Sequence, residues 1–452
     1  MCCDKLLLIL RRGYAPLNPM EILLHYTWQY KMLPLGDLHA TDGREISILD
    51  PGLHNRNAGP DFFNAKIKIG DTLWVGNVEI HDRSRDWYSH GHDKDSRYDN
   101  VILHVATVVD MDVVNSKGVS IPQVSIDVPQ YIKDNYKELI ETADYPPCYR
   151  IVSQLSSLLV HSWMTSLEVE RLEAKTMATR QRAEQLGGDW ESAYFVTLAR
   201  NFGFGINGDT FERWAMNVPL RHISHHRDDL FQIEAFFMGQ AGLLEMESIP
   251  AAYQKEALSD GYFLRLRDEY SFLRNKFSLT PIEHRLWKFL RLRPQNFPHI
   301  RISQLAFLYY SQKSSISKLT ECHTTDDIKS MLSTHVTPYW ETHYTFGAES
   351  GRSAKNLSPS SLDLLMINTA IPTMFAYGIY LGNQELKDRA FSLLQELKPE
   401  NNYIVRMWQQ CGLSVETAGD SQALIQLKKE YCDKRECLRC RFGYEYLKGR
   451  RK

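Results

Sequence analysis

The chain has no excess of either charge, since 53 Lys and Arg stand against 55 Asp and Glu, for a formal net charge of −2 at pH 7. That balance excludes a uniformly basic nucleic-acid-binding surface and leaves room only for a local patch. The opening of the chain offers no membrane helix either. The apolar stretch between Lys5 and Arg12 is too short for a membrane helix, and its cations follow the run instead of preceding it as in a signal peptide. The expectation is a cytoplasmic protein with no membrane partner. Met20 opens a better helical pattern than anything before it, so the earlier residues read as a loose tail or an upstream start. No convincing internal repeat stands out.

What is present is ample material for folding. Hydrophobic residues make up 43% and aromatics 11%, which rules out general disorder, and 452 residues exceed one ordinary core. After Asn18-Pro19, a suitable helix start, residues 21–30 repeat apolar and aromatic side chains at helical spacing. Short β-rich runs follow at 45–49, 61–69, 73–80, 101–109 and 119–128. Gly70-Asp71 reads as one hairpin turn and Asp50-Pro51-Gly52 as another. Beyond Pro129 the character changes: stretches such as 158–186 and 191–202 are rich in Leu, Ala, Glu and Arg with helical periodicity. The predicted fold class is α+β. A small mixed-sheet domain with a flanking helix spans 20–130, a helical domain spans 131–340, and a helical C-terminal domain with a cysteine cluster spans 341–452.

The densest polar chemistry lies between Asn57 and His104. Asp61 opens one strand and Glu79 lies near the end of its hairpin partner, so the turn at Gly70-Asp71 sets two carboxylates side by side. Such a pair suits a hard cation, Mg²⁺ or Mn²⁺, bound together with waters and phosphate oxygens. Glu79 and His81 are two positions apart and share a strand face. Ordinary readings stand beside these. Asp61 after Pro60 also suits a turn, His90 and His92 also suit a polar loop, and His104 reads as a satisfied core histidine outside the site. Arg83, Arg85, Trp87 and Tyr88 either hold a phosphate backbone and stack a base or form a solvated loop. Glu79 is harder to set aside, because a carboxylate at an inward strand position costs free energy unless it is paired or metal-bound.

Pro60-Asp61 ahead of a hairpin, with Glu79-Ile80-His81 on the next strand, resembles the PD-(D/E)XK nuclease superfamily. The resemblance implies a restriction-endonuclease-like fold, metal-dependent hydrolysis of nucleic acid, with DNA ahead of RNA, and Asp61 and Glu79 as ligands of Mg²⁺ or Mn²⁺. It also implies that Ile80 offers its carbonyl and that residue 81 orients the attacking water. His81 stands where lysine is usual, replacing a fixed cation by an imidazole. Glu21 lies on the preceding helix, where several families of that superfamily carry a further acidic ligand. His90-Gly91-His92 resembles the histidines of very short patch repair endonucleases, which implies help in activating water. More broadly, the segments 57–62, 76–81, 86–87, 90–92 and 101–105 are similar to an uncharacterised Bacteroidetes family of unknown function, the DUF2851-like proteins, over nearly the whole chain. Two other functions stay open: a non-catalytic nuclease-fold scaffold that binds nucleic acid, and a small-molecule hydrolase with a transition metal on His81, His90 and His92.

Four of the eight cysteines fall in the last 42 residues. Cys432, Cys437 and Cys440 are close enough in sequence to share one ion, and Cys411 follows a helical segment that could fold back as the fourth ligand. Four thiolates suit tetrahedral Zn²⁺ or an iron–sulfur cluster. Reduced thiols without metal are the alternative. Lys428, Lys429, Lys434, Arg435, Arg439, Arg441 and the closing residues 448–452 form a locally basic end. It reads either as a phosphate contact or as a solvated face diluted by Glu430, Asp433, Glu436 and Glu445.

Overall fold

In a computed structural model the described residues are 19–33, 37–55 and 57–449. The run from Lys5 to Arg12, the Asn18 helix start and the closing Arg450, Arg451 and Lys452 lie outside the described residues. Helix α1 (Pro19–Gln29) is followed by strands β1 (Leu38–His39), β2 (Glu45–Asp50), β3 (Leu53–His54), β4 (Phe62–Ile69) and β5 (Thr72–Arg83). Phe62, Ala65, Ile67 and Ile69 are buried along β4, the alternation expected of a strand with one face on a core. A hairpin at Gly70 and Asp71 joins β4 to β5, with Ile69 opposite Thr72 and Phe62 opposite Val78. Asp50-Pro51-Gly52 is not a hairpin. Strands β2 and β3 both pair with β4, Ile46 opposite Ile69 and Leu53 opposite Phe63, so the break only offsets one edge. Gly52 fits there because its backbone is left-handed, and a β-carbon would stand 2.7 Å from the Phe63 carbonyl oxygen.

Strands β6 (Val101–Val108) and β7 (Gln123–Ser125) extend β5 in parallel, giving a mixed sheet in the order β1, β2, β4, β5, β6, β7. One face is covered by α1, whose Leu23, Leu24 and Trp28 pack with Phe62, Ile67, Val78, Ile80, Leu103 and Val105. Each such side chain contributes roughly 1.5–3 kcal/mol when fully buried. After the short helix α2 (Asp86–Ser89) in the β5–β6 connection, helix α3 (Gln130–Glu141) adds Ile132 to the same core.

By packing, the chain forms two units: the sheet with the described residues up to Ser156 plus the described residues of the segment that starts at Glu430, and Ser157–Lys429. The sheet unit thus runs past residue 130 and takes back the segment bearing Cys432, Cys437 and Cys440. The second unit is almost entirely helical, built along Ser157–Gln185 with Ala418–Gln426 and Ile371–Leu381 beside it. The stretch Pro359–Leu381 is long and apolar enough to cross a membrane by length and composition, and 61% of its apolar window is buried in this unit, as in a core helix. The architecture is therefore α+β, with a sheet near the start and helices dominating the rest.

One core residue of the helical unit makes its stability depend on pH. His299 is buried among Phe289, Trp340 and Phe346, and neither ring nitrogen has a hydrogen-bond partner. Burial lowers its pKa from 6.5 to about 3. As pH falls below 6.5 the unfolded chain gains a proton that the folded chain refuses, so stability falls by up to about 1.4 kcal/mol per pH unit down to the folded-state value. In denaturant melts across that acid range, His299→Phe is expected to show a shallower loss than the parent. An identical loss would mean that another group governs the acid limb.

Candidate metal centre

Strand register assembles the site. Glu79 lies opposite His104, Ile80 opposite Val105 and His81 opposite Ala106 across the parallel β5–β6 pair, and Gln123 of β7 lies opposite His104. Alternation then puts Glu79, His81, His104 and Gln123 on one face, while Val78, Ile80, Leu103, Val105 and Val124 enter the apolar core. Parallel strands cannot be joined by a tight turn. The crossover at residues 84–100 instead holds α2 and the turns His92–Lys94 and Ser96–Tyr98, and it folds over the polar face. Gly91, at φ +75°, reverses the chain between His90 and His92 and brings their rings to 5.5 Å. Buried Trp87 meets His92 and His104 edge-on at 5.4 and 5.5 Å, and Tyr98 stacks on His92 at 3.8 Å.

Asp61 and Glu79 are interlocked. The Asp61 N–H donates to Glu79 Oε2 at 3.0 Å, and the Ile80 N–H donates to Asp61 Oδ2 at 2.9 Å. Burial, followed by the Asp61 charge, holds the Glu79 pKa well above the usual carboxylate range, with Glu21 adding to the effect. Positive charge is correspondingly favoured beside Asp61. His25, one turn after Glu21 on α1, puts Nε2 at 3.4 Å from Asp61 Oδ2, within ion-pair distance but outside hydrogen-bond geometry. Burial opposes its protonation, yet Asp61, Glu21 and the Ile80 carbonyl together raise its pKa above 6.5.

A chain of imidazoles runs from the other oxygen of Glu79. His92 Nε2 stands 3.1 Å and His81 Nε2 3.6 Å from Glu79 Oε1. His81 Nδ1 is 2.9 Å from His104 Nε2, His81 Nε2 is 3.2 Å from His90 Nδ1, and His104 Nδ1 is 3.1 Å from Gln123 Oε1. Their tautomers follow from one amide. Gln123 Nε2 donates to the Met111 carbonyl, so its Oε1 is left to accept from His104 Nδ1–H and from Ser84 Oγ at 2.8 Å. Burial lowers the His104 pKa to about 4, so near neutral pH its Nε2 carries a lone pair and accepts from His81 Nδ1–H. Burial, then the neighbouring His104, His92 and His90, holds the His81 pKa well below 6.5. His81 Nε2 therefore presents a bare lone pair toward Glu79 and His90. His92 is likewise lowered to about 4, by burial first and His90 second. Ligand atoms of His81, His90 and His92 lie within 4.8 Å of one another, spacing that could hold a metal ion.

Asp61, Glu79, His81, His90 and His92 are thus gathered in one place, with Glu21 near enough to act electrostatically on Glu79 and His25. Sequence reasoning passed over His25 and Gln123 and set His104 aside. His104 is indeed a hydrogen-bonded buried residue, but its partners are His81 and Gln123. A histidine four residues after Glu21 on the same helix was the available signal for His25. Arg83 and Arg85 both pair with Asp110, Trp87 donates to the Val114 carbonyl and Tyr88 to that of Asp112. At the basic end Lys434 pairs with Glu430 and Lys448 with Glu445, while Arg435 donates to the Leu139 and Thr142 carbonyls. Cys411 belongs to the helical unit, and Cys432, Cys437 and Cys440 belong to the sheet unit.

The tautomer chain is open to direct observation. In long-range ¹H–¹⁵N spectra of metal-free protein at a pH between 4 and 6.5, His104 and His81 are expected as neutral Nδ1–H tautomers and His92 as neutral. Imidazolium signals from His104 in that range would contradict the chain.

The curated proteins and the solved structures contain no match to the chain. One family model, described as a protein of unknown function, DUF2851, matches residues 21–403 and so takes in every residue of the site from Glu21 to Gln123. With most of its length covered by that match, the chain belongs to the DUF2851 family.

Proposed function

We propose that the sheet unit is a metal-dependent phosphodiesterase of the PD-(D/E)XK type acting on nucleic acid, DNA ahead of RNA. The observation that carries this reading is the interlock of Asp61 and Glu79, each bonded to the other's strand across a hairpin. The order helix α1, hairpin β4–β5, then parallel β6 supports it, as does a buried His25 Nε2 that lacks a hydrogen-bond partner beside Asp61. These groups fit a hard cation. Asp61 and Glu79 would hold Mg²⁺ or Mn²⁺, with Glu21 in support, and the ion would supply Lewis acidity and a more acidic water.

The remaining work falls to the chain's own groups. Neutral His81 cannot bring the fixed charge of a lysine, but its bare Nε2 can orient a water and accept its proton. Exposed His90 has its Nδ1 3.2 Å from that nitrogen, so the His90 tautomer with an unprotonated Nδ1 gives the proton a route to solvent. Gln123, through His104, keeps the His81 lone pair turned inward. The positive charge missing at position 81 has its counterpart in His25.

Plasmid, single-stranded DNA and RNA incubated with Mg²⁺ or Mn²⁺ are expected to be cleaved only when the ion is present. Glu79→Ala and Asp61→Asn should each lower the rate by more than about 100-fold, and His104→Ala by about 10–100-fold, the usual worth of a group that orients a site residue. Binding without turnover under every divalent ion would leave a nuclease-like scaffold instead.

The close spacing of His81, His90 and His92 favours a second reading, a hydrolase of small molecules with a transition metal on the three imidazoles. The two readings part on metal content. Loss of a bound transition metal in His90→Ala but not in Asp61→Asn would favour the second, and the reverse pattern the first.

A further inference from the structure

The register that gathers the metal centre also carries one face of the sheet beyond it. Alternation along β5 places Leu73, Val75, Asn77, Glu79 and His81 on the same face, while Val78 and Ile80 enter the core. Exposure rises along that row. Glu79 and His81 are buried and Asn77 is half-buried, whereas Val75 and Leu73 are 60% and 55% exposed. The change has a topological cause: pairing between β5 and β6 starts with Asn77 opposite Val101, so the crossover at residues 84–100 returns to the sheet at that level. The Asn77 N–H donates to the Asn100 carbonyl at 2.9 Å and marks the rim of the covered part. From Thr72 to Gly76, β5 is paired with β4.

Two lysines stand on this open extension. Lys66 lies opposite Val75 and Lys68 opposite Leu73, and directly opposed residues share a face, so both are on the side of Glu79. They are exposed, and among the described residues neither ammonium lies within ion-pair distance of a carboxylate. On β2 the patch is bordered by Ser47 opposite Lys68 and by Asp50 opposite Lys66, with Glu45 nearer the hairpin tip. Asp50 has one oxygen turned to the Gly52 N–H at 2.9 Å. The result is a local cationic patch on a chain whose charges otherwise nearly cancel. Positions two apart on a strand are separated by about 6.8 Å, close to the interval between successive phosphates of an extended nucleic-acid strand. Val75 stands four positions before Glu79, or about 13 Å, which is about two nucleotides from a phosphate held at the carboxylates.

We propose that Lys66 and Lys68 on β4, with Leu73, Val75 and Asn77 on β5, form a track that binds one strand of nucleic acid and leads its phosphodiester backbone into the metal centre. The track rests on the nuclease reading of that centre. Its lysines neutralise phosphates, the Asn77 amide is placed to donate to a phosphate at the rim, and the aliphatic side chains cover the sugars. Because Glu79 and His81 are buried, a single flexible strand reaches them more readily than a stiff duplex does.

The test uses the full chain and a fluorescein-labelled oligothymidine, with anisotropy read over a range of salt in the presence of a chelator so that cleavage does not intervene. Lys66→Gln combined with Lys68→Gln should weaken binding by about 5-fold or more. The same pair should lower the slope of log affinity against log salt by about 1.4, the worth of two phosphate contacts on a single strand. Lys255→Gln combined with Lys313→Gln, at exposed positions of the helical unit, should change neither quantity. Leu73→Thr combined with Val75→Thr should weaken binding and keep the slope, and an unchanged affinity there would overturn the sugar contact. Affinity and slope unchanged in the Lys66 and Lys68 pair, an equal change in the control pair, or no binding of the oligonucleotide at all would overturn the track. Cleavage is read separately with Mg²⁺ or Mn²⁺, where the Lys66 and Lys68 pair should raise KM and leave kcat as it was. Cleavage with KM unchanged in that pair would sink the track and spare the nuclease reading. The expected salt slopes in a protein that cleaves nothing would sink the nuclease reading and keep the track.

Discussion

Parallel pairing between β5 and β6 is the constraint on which the polar site depends. An antiparallel partner could have followed β5 after two residues, and the face bearing Glu79 and His81 would then have been open. The parallel arrangement demands a connection that travels back along the full length of the strand. That connection carries His90, His92, Trp87 and Tyr98 over the sheet. The same pairing fixes His104 beside Glu79, and β7 repeats the register to bring in Gln123.

Electrostatically the site has two halves that ask for opposite things. On one side Asp61, Glu79 and Glu21 crowd negative charge into a buried corner, which raises the Glu79 pKa and favours a cation. On the other, the histidines are dry and close together, so protons are excluded from His81, His92 and His104. Glu79 belongs to both halves, one oxygen facing the Asp61 backbone and the other His92. A buried carboxylate shared in this way is expensive to keep for packing alone.

Much of this was legible in the sequence, for identifiable reasons. Period-two alternation in 65–69, the β-rich run at 73–80 and the Gly70-Asp71 turn are local signals, and they carried Asp61 and Glu79 to adjacent strands. The long helices were equally plain from their periodicity. What stayed hidden depends on contacts between distant segments. Gln123 is an unremarkable polar residue until β7 sets it opposite His104, and His104 between apolar neighbours has the appearance of any core histidine. Asp50-Pro51-Gly52 has turn composition, but composition does not say which strand receives the chain on the far side.

The segment that starts at Glu430 dictates an order of events during synthesis. The sheet unit is discontinuous in the chain: its strands and α1 emerge first, and the portion that docks on α3 is made only after the whole of residues 157–429. A ribosome therefore exposes an unfinished sheet unit throughout translation of the helical one, with the carbonyls of Leu139 and Thr142 awaiting Arg435. The helical unit, continuous in sequence, can mature first. Completion of the sheet unit therefore waits on translation of everything between its two parts, an order that a contiguous domain does not impose.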